Sequence, residues 1–124
     1  MELKQITDRL KQLGHEIKIE EEIALNFVKK RVEEHVLNFC NVTEIPDGVE
    51  NHIIDRICGE YLHELNNLGK LTEFDTNRCI EQIELGDTNV KFKGSSQEDR
   101  INMIIATLIG RLDGELLCYR QIKW

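Results

Sequence analysis

Four histidines and four cysteines are the side chains in this 124-residue chain best suited to hold a metal or to activate a nucleophile, and their spacing tests both uses. His63-Glu64 begins like a helical zinc clamp, in which a second histidine follows one turn on, but Asn67 stands in its place. His15-Glu16 is followed at the same offset by Ile19. Such a clamp needs two imidazoles on successive turns of one helix face, so neither string predicts zinc. His35 with Cys40, and His52 with Cys58, read better as satisfied or exposed side chains than as ligands. Cys40, Cys58, Cys79 and Cys118 are irregularly spaced and include no Cys-x-x-Cys pair. Cys40, Cys58 and Cys79 fall within apolar helical patterns, where a reduced thiol serves as a small hydrophobe. No glycine-rich phosphate loop and no nucleophile elbow is present. Glu33-Glu34 and Glu20-Glu21-Glu22 fall where solvated helix faces fall, and the glutamate run suits the positive end of a helix dipole. The expectation is no catalytic residue, no metal site and no cofactor: not an enzyme.

Two segments instead have the composition of contact surfaces. Asp87-Thr88-Asn89-Val90-Lys91-Phe92, within Gly86 to Lys93, alternates like a short strand. An isolated strand is unstable in water, so it must pair, fold onto the helices or add to another chain. The ending Tyr119-Arg120-Gln121-Ile122-Lys123-Trp124 places a tryptophan and a tyrosine beside two bases. Trp, Tyr and Arg dominate binding hot spots, which makes these six residues the candidate partner-binding group.

The elements that would carry these segments are helical. Leu3, Ile6, Leu10 and Leu13 mark a thin stripe on a first helix ended by Gly14, expected to pack as an arm over residues 1–14 on the rest of the chain or on a neighbouring subunit. From Glu20 to about Cys40, Ile23, Ala24, Phe27, Val28, Val32, Val36, Phe39 and Cys40 recur at helical spacing. Asn41 to Ile45 breaks the pattern, and Pro46 suits the first turn of the next helix. There Val49, Ile53, Ile54, Ile57, Cys58, Tyr61, Leu62 and Leu65 form a broad face. So short a link makes the two helices antiparallel neighbours. Asn66 to Leu71 reads as a loop, followed by a short helix capped by Asp75 that carries Cys79, Ile80 and Ile83. Ser95 with Glu98 is a candidate capping box for a last helix that turns Ile101, Ile104, Ile105, Leu108, Ile109 and Leu112 inward. Asp113-Gly114 is expected to kink or end it, leaving residues 115–124 as a short helix or tail. The expected architecture is one all-α domain over 1–124, a small bundle of four to five helices with one extended segment near 86–93.

Composition sets the limits of function. Hydrophobic residues make up 40% and charged residues 31%, a globular rather than a disordered balance. One proline and 6% aromatics favour helices over sandwiches or barrels. The net charge of −7 opposes nucleic-acid binding, because neutralisation of phosphates by Lys and Arg supplies most of that affinity. The charge is uneven. Residues 1–45 carry 7 bases and 9 acids, residues 46–90 carry 3 and 10, and residues 91–124 carry 6 and 4. Charges near Met1 stand where a secretory signal would be apolar, and Ile101 to Ile109 is about half a membrane span, so no membrane partner is expected. Synthesis and retention in a reducing cytoplasm follow as the expectation, and Asn41-Val42-Thr43 is then a chance glycosylation match.

Three segments, taken in order, resemble one family. Val36-Leu37-Asn38-Phe39-Cys40-Asn41-Val42-Thr43-Glu44-Ile45-Pro46 is similar to the helix–turn–helix of phage head–tail connector proteins, the small adaptors of tailed phages and prophages of Gram-positive bacteria. Members carry tyrosine or phenylalanine, then cysteine-asparagine, and further on isoleucine-proline at that turn. Gly86-Asp87-Thr88-Asn89-Val90-Lys91-Phe92 resembles the family's glycine-aspartate-threonine-serine-valine stretch, with Asn89 in place of serine. Tyr119 to Trp124 resembles its tyrosine-arginine-lysine-leucine-arginine-tryptophan ending, with Gln121 in place of a base. Together the matches extend over residues 20 to 124.

The resemblance implies a structural virion protein at the head–tail interface. It implies docking below the portal protein through Tyr119, Arg120, Gln121, Ile122, Lys123 and Trp124, and a tail-side neck or completion protein as the second partner. It also implies self-association into a ring of about twelve subunits through a repeated head-to-tail interface, and it admits a monomer in isolation. Asp87, Thr88, Asn89, Val90, Lys91 and Phe92 become the candidate intersubunit loop. DNA would pass through the ring without sequence-specific binding, and the acidic middle third would suit such a channel because like charge forgoes counterion release. The alternative class is a small cytosolic helical adaptor or transcriptional regulator. Against DNA reading, the helix from Pro46 to Leu65 carries Arg56 as its single base among five acids.

Overall fold

A computed structural model describes residues 2–45, 47–71, 74, 76, 79 and 96–116. The chain is all-α. Its described elements are α1 (Leu3–Leu13), α2 (Glu22–Cys40), α3 (Glu50–Asn67) and α4 (Gln97–Leu116), with single 3₁₀ turns at Ile19–Glu21 and Asp47–Val49. No strand occurs among the described residues. The extended segment expected at 86–93, the helix cap expected at Asp75, and Pro46, Ile80, Ile83, Ser95 and 117–124 lie outside them.

α3 is the centre of the fold because its apolar residues cover more than half of its circumference. Ile53, Ile54, Ile57, Cys58, Tyr61, Leu62 and Leu65 are all buried, as their spacing predicts, and Asp55 and Gly59 join them. α3 packs against α1, α2 and, most extensively, α4. The α3–α4 approach is close enough to exclude a side chain at one point. A Cβ placed on Gly59 would lie 2.9 Å from the Leu108 Cβ and 3.1 Å from Ile109 Cγ1, so only glycine fits that seam. From α4, Ile101, Ile104, Ile105, Leu108 and Leu112 are buried in the same core, and Ile109 is half-buried against it.

α1 packs on its own chain, the first of the two placements its stripe allows, and its apolar row joins the core. Ile6, Leu10 and Leu13 are inaccessible to solvent, and three such side chains contribute about 1.5–3 kcal/mol each on burial. The stripe is thin because a short helix lying on one neighbour needs only one row. Arg9 Nε donates to Asp55 Oδ1 at 2.8 Å and fixes α1 on α3 across that row. The helix ends as expected at Gly14, in the left-handed region at φ 110°, where a Cβ would be strained. Gly14 N donates to Lys11 O and His15 N to Leu10 O, which satisfies two carbonyls of the last turn.

The remaining boundaries move for local reasons. α3 begins at Glu50, after the 3₁₀ turn, so Val49 is a fully buried residue at the helix entrance rather than a position within it. α4 is capped by Ser96: the Asp99 N–H donates to Ser96 Oγ at 3.1 Å. This shifts the capping serine one residue from the Ser95–Glu98 pairing. Gln97, the first residue of α4, ties back to the preceding segment by donating from Nε2 to Phe74 O at 2.6 Å. Asp113-Gly114 does not end α4, which continues to Leu116 because Leu112 still anchors it in the core. The tail drawn from residue 115 therefore starts inside a helix. Thr76 and Cys79 are helical and buried, in keeping with the short helix expected there.

Candidate functional site

The sharpest polar cluster joins three elements at the α1–α2 corner. His15 follows the Gly14 turn, Glu21 closes the 3₁₀ turn before α2, and Tyr61 stands in the middle of α3. The Tyr61 hydroxyl donates to Glu21 Oε2 at 2.7 Å, and His15 Nε2 lies 2.9 Å from the same oxygen. Burial raises the carboxyl pKa of Glu21, but hydrogen bonds from His15 and Tyr61 and the His15 charge outweigh it and hold the group below its ordinary range. Burial first, and then the Glu21 carboxylate, push the Tyr61 phenol up. A histidine oriented by a carboxylate is a familiar catalytic element, yet here the carboxylate also holds the tyrosine proton. Tyr61 is thereby kept protonated and is not an activated nucleophile. The cluster opens on a cleft of about 600 Å³ also lined by Glu64, Leu68 and Lys70, and its evident work is to fasten the α1–α2 turn to α3. Glu21 is thus a tied, part-buried residue, whereas the sequence places it on a solvated helix start.

The described cysteines are core residues. Cys40, Cys58 and Cys79 are buried thiols that form no disulfide with one another. Burial, helped by the nearby Asp55 charge, pushes the Cys58 thiol far up, away from the reactive thiolate. Among the described residues no group of three or more His, Cys, Asp or Glu side chains could hold a metal ion, and no helix is long and apolar enough to cross a membrane.

The outer face of α2 is the region that departs most from the rest. Leu25, Val28, Val32, Val36 and Cys40 form its buried row, while Ile23 and Phe27 point away from the core and are 83% and 69% exposed. Ile19, one turn before them, is 86% exposed. Ala24 is exposed as well. The sequence reading grouped Ile23, Ala24 and Phe27 in one helical pattern with Val28, Val32, Val36 and Cys40 and omitted Leu25; the structure buries Leu25 with that row and leaves the first three outside it. Positions 23 and 27 are spaced by four on α2 and share one face, and Ile19 precedes them in the 3₁₀ turn. Lys18, Glu20 and Glu22 are exposed at the amino-terminal end of this face, and Lys30, Arg31 and Glu34 at the other. Arg31 lies 3.4 Å from Glu64 and 3.7 Å from Glu60 of α3, whereas Glu20 and Lys30 make no ion pair among the described residues. Scattered single apolar residues are normal on a surface, whereas Ile23 and Phe27 stand one turn apart with Ile19 just before them.

The residues singled out for partner binding, Tyr119, Arg120, Gln121, Ile122, Lys123 and Trp124, and for the intersubunit loop, Asp87, Thr88, Asn89, Val90, Lys91 and Phe92, lie outside the described residues. The Val36–Pro46 segment is described through Ile45, and its side chains have structural work. Cys40 is fully buried, and Asn41 adopts the left-handed conformation, φ 55°, that ends α2. Asparagine is the non-glycine residue that tolerates this conformation best. The α2 stripe escaped the sequence reading, although one signal for it was available: α2 holds more apolar positions than a single buried row can use.

No protein-family model, curated protein or solved structure matches this chain. The fold defines a small helical protein with exposed apolar side chains on the outer face of α2.

Proposed function

We propose that this chain is a structural assembly subunit, specifically a head–tail connector of a tailed phage or prophage. The observation that carries the assembly role is the exposure of Ile19, Ile23 and Phe27 together at the start of α2, apart from the singly exposed Leu68 and Met103. An apolar face of that kind is costly to leave in water and gains free energy when a protein partner covers it. The connector assignment rests on the three ordered sequence resemblances. The turn through Cys40 and Asn41 supports it, since both residues have positions there that few other residue types could fill. In this reading the subunit joins a ring at the virion neck, meets the portal protein and a tail-side neck protein, and lets DNA pass without reading it. No metal or cofactor takes part, and the protein works by contact rather than by catalysis.

Truncation provides the test. Purified chain lacking Gln121 to Trp124, mixed with the portal protein of the same phage, should fail to decorate portal rings in electron micrographs. The full chain should form a ring beneath them. Normal decoration by the truncated protein would remove the docking role from those residues, and no decoration by the full chain would remove the connector assignment. The regulator reading is weaker because α3, the helix that would read DNA, is the most buried of the four. Its one base, Arg56, lies 3.7 Å from Glu60 and is only 14% exposed.

A further inference from the structure

We infer that the Glu21 carboxylate is an acid-sensitive latch: it holds the connection between α1 and α2 shut against α3, and its protonation opens that connection while the four helices stay in place. This conformational role is independent of the virion reading. The connection is held at few points. Leu13 and Leu25 are fully buried, and no residue between them is. Ile17 is half-buried against the core, and one backbone bond closes the turn, from Glu21 N to Lys18 O at 2.9 Å. The side-chain hydrogen bonds converge on a single atom. Glu21 Oε2 accepts from the Tyr61 hydroxyl of α3 at 2.7 Å and lies 2.9 Å from His15 Nε2, and the His15 and Tyr61 rings are 6.1 Å apart. A segment with so little buried apolar contact opens locally at lower free energy than the helices it joins.

Loss of one charge weakens both contacts. The carboxylate accepts from Tyr61 and His15 together, whereas the protonated group has a hydroxyl in place of one acceptor oxygen and no attraction for the His15 charge. Burial raises the Glu21 pKa, but the bonds from His15 and Tyr61 outweigh it, so the latch is closed above the ordinary value of 4.5 and opens as pH falls through the depressed one. From the connection itself, Glu16, Lys18 and Glu20 also line the cleft; Glu64 of α3 and Lys70 just beyond it line the other side. Among the described residues none of those three carboxylates is hydrogen-bonded to His15 or Tyr61, and Glu64 is engaged with Arg31 at 3.4 Å. None therefore replaces Glu21 once it is protonated. The His15 charge is then left in a cleft with Lys18 and Lys70, which are of like sign. Opening carries Ile19 with the turn, so the latch sets whether that side chain stands beside Ile23 and Phe27.

Trypsin cleavage after Lys18 of the full chain reads the open state at neutral pH, with Glu21→Gln in place of the protonated carboxyl. A protease needs several residues pulled clear of the fold, so even an exposed lysine in a closed turn is cut slowly. Glu21→Gln and Tyr61→Phe should each speed that cut about tenfold or more, the effect of losing a charge-assisted hydrogen bond, while helical circular dichroism is unchanged. Urea below the unfolding transition should leave the Lys18 cut unaffected. It should accelerate the cut after Arg56, which is only 14% exposed and is reached by unfolding. In acid, the His15 and Tyr61 ring proton resonances should shift together as Glu21 titrates, and Glu21→Gln should lack that shared shift. Variants cut after Lys18 at the wild-type rate overturn the latch. So does a Lys18 cut that follows urea as the Arg56 cut does, since opening would then be global. Ring resonances that hold their positions until every helix is lost in acid overturn it as well. None of these measurements involves the portal protein, so the outcome here and the outcome for the connector assignment are read separately.

Discussion

The α3–α4 seam and the outer face of α2 are built from the same residue types at the same spacing, and they have opposite surroundings. In the seam, Ile57, Ile104 and Leu108 are at most 1% exposed, and the backbones approach until Gly59 can carry no side chain. On α2, Ile23 and Phe27 satisfy the same i, i+4 rule and stand in solvent. Helical periodicity says that residues share a face; it does not say whether another helix covers it. A helix carrying two apolar rows has one row for its own core and one left outside it.

The difference can be broken hardest at the seam. Gly59→Val would force a branched side chain against Leu108 and Ile109, and it should cost about 3 kcal/mol of unfolding free energy. Urea denaturation would measure it, and a loss smaller than that of a surface variant would mean that α4 can shift away from α3. At the α1 edge of the core, Asp55→Ala removes the acceptor of Arg9 Nε and should cost about 2 kcal/mol, with early loss of amide-exchange protection in α1. Protection lost evenly over all helices would instead make α1 inseparable from the core.

The α1–α2 corner lies between these extremes and responds to pH. The Glu21 carboxyl is held below its ordinary value of 4.5 in the folded chain, so more protons are bound in the unfolded state as pH falls. Its contribution is complete above that ordinary value and is lost as pH falls through the depressed one. Wild type should therefore be more stable than Glu21→Gln by a margin that is constant near about pH 7 and shrinks toward about pH 3. A margin that stays constant down to the lowest pH would show that the Glu21 charge is not what holds His15 and Tyr61. The smallest effect is expected on α2. Ile23→Ser with Phe27→Ser should alter monomer stability by less than about 0.5 kcal/mol, although the same replacements in the seam would unfold the protein. A large loss there would mean that the stripe is covered within its own chain, and the contrast between the two regions would vanish.

Much of the fold is legible in the sequence where a single periodic row meets a single partner. The α3 row from Ile53 to Leu65 and the α4 row from Ile101 to Leu112 are read correctly because each has one dominant apolar face. Gly14 is legible as a stop for a related reason: only glycine adopts that left-handed turn without strain. The role of α1 is not legible, since three buried side chains on a short helix look the same whether they cover their own core or a neighbour's. The corner cluster is hidden in the sequence, because Tyr61 is 40 residues from Glu21 and a hydrogen bond over that distance leaves no local pattern.

By itself, then, the sequence determined the helical class, the inward faces of α3 and α4, the turn after α1 and the lack of any zinc-clamp spacing. These depend on interactions within a few residues along the chain, where periodicity and backbone preference are decisive. Only the tertiary structure decided that α1 belongs to the core, that Glu21 is tied to His15 and Tyr61, and that Leu25 rather than Ile23 and Phe27 faces inward. Each of those depends on which surface of a distant helix arrives within contact distance, and a helix with apolar residues on two sides carries no local mark of which side that will be.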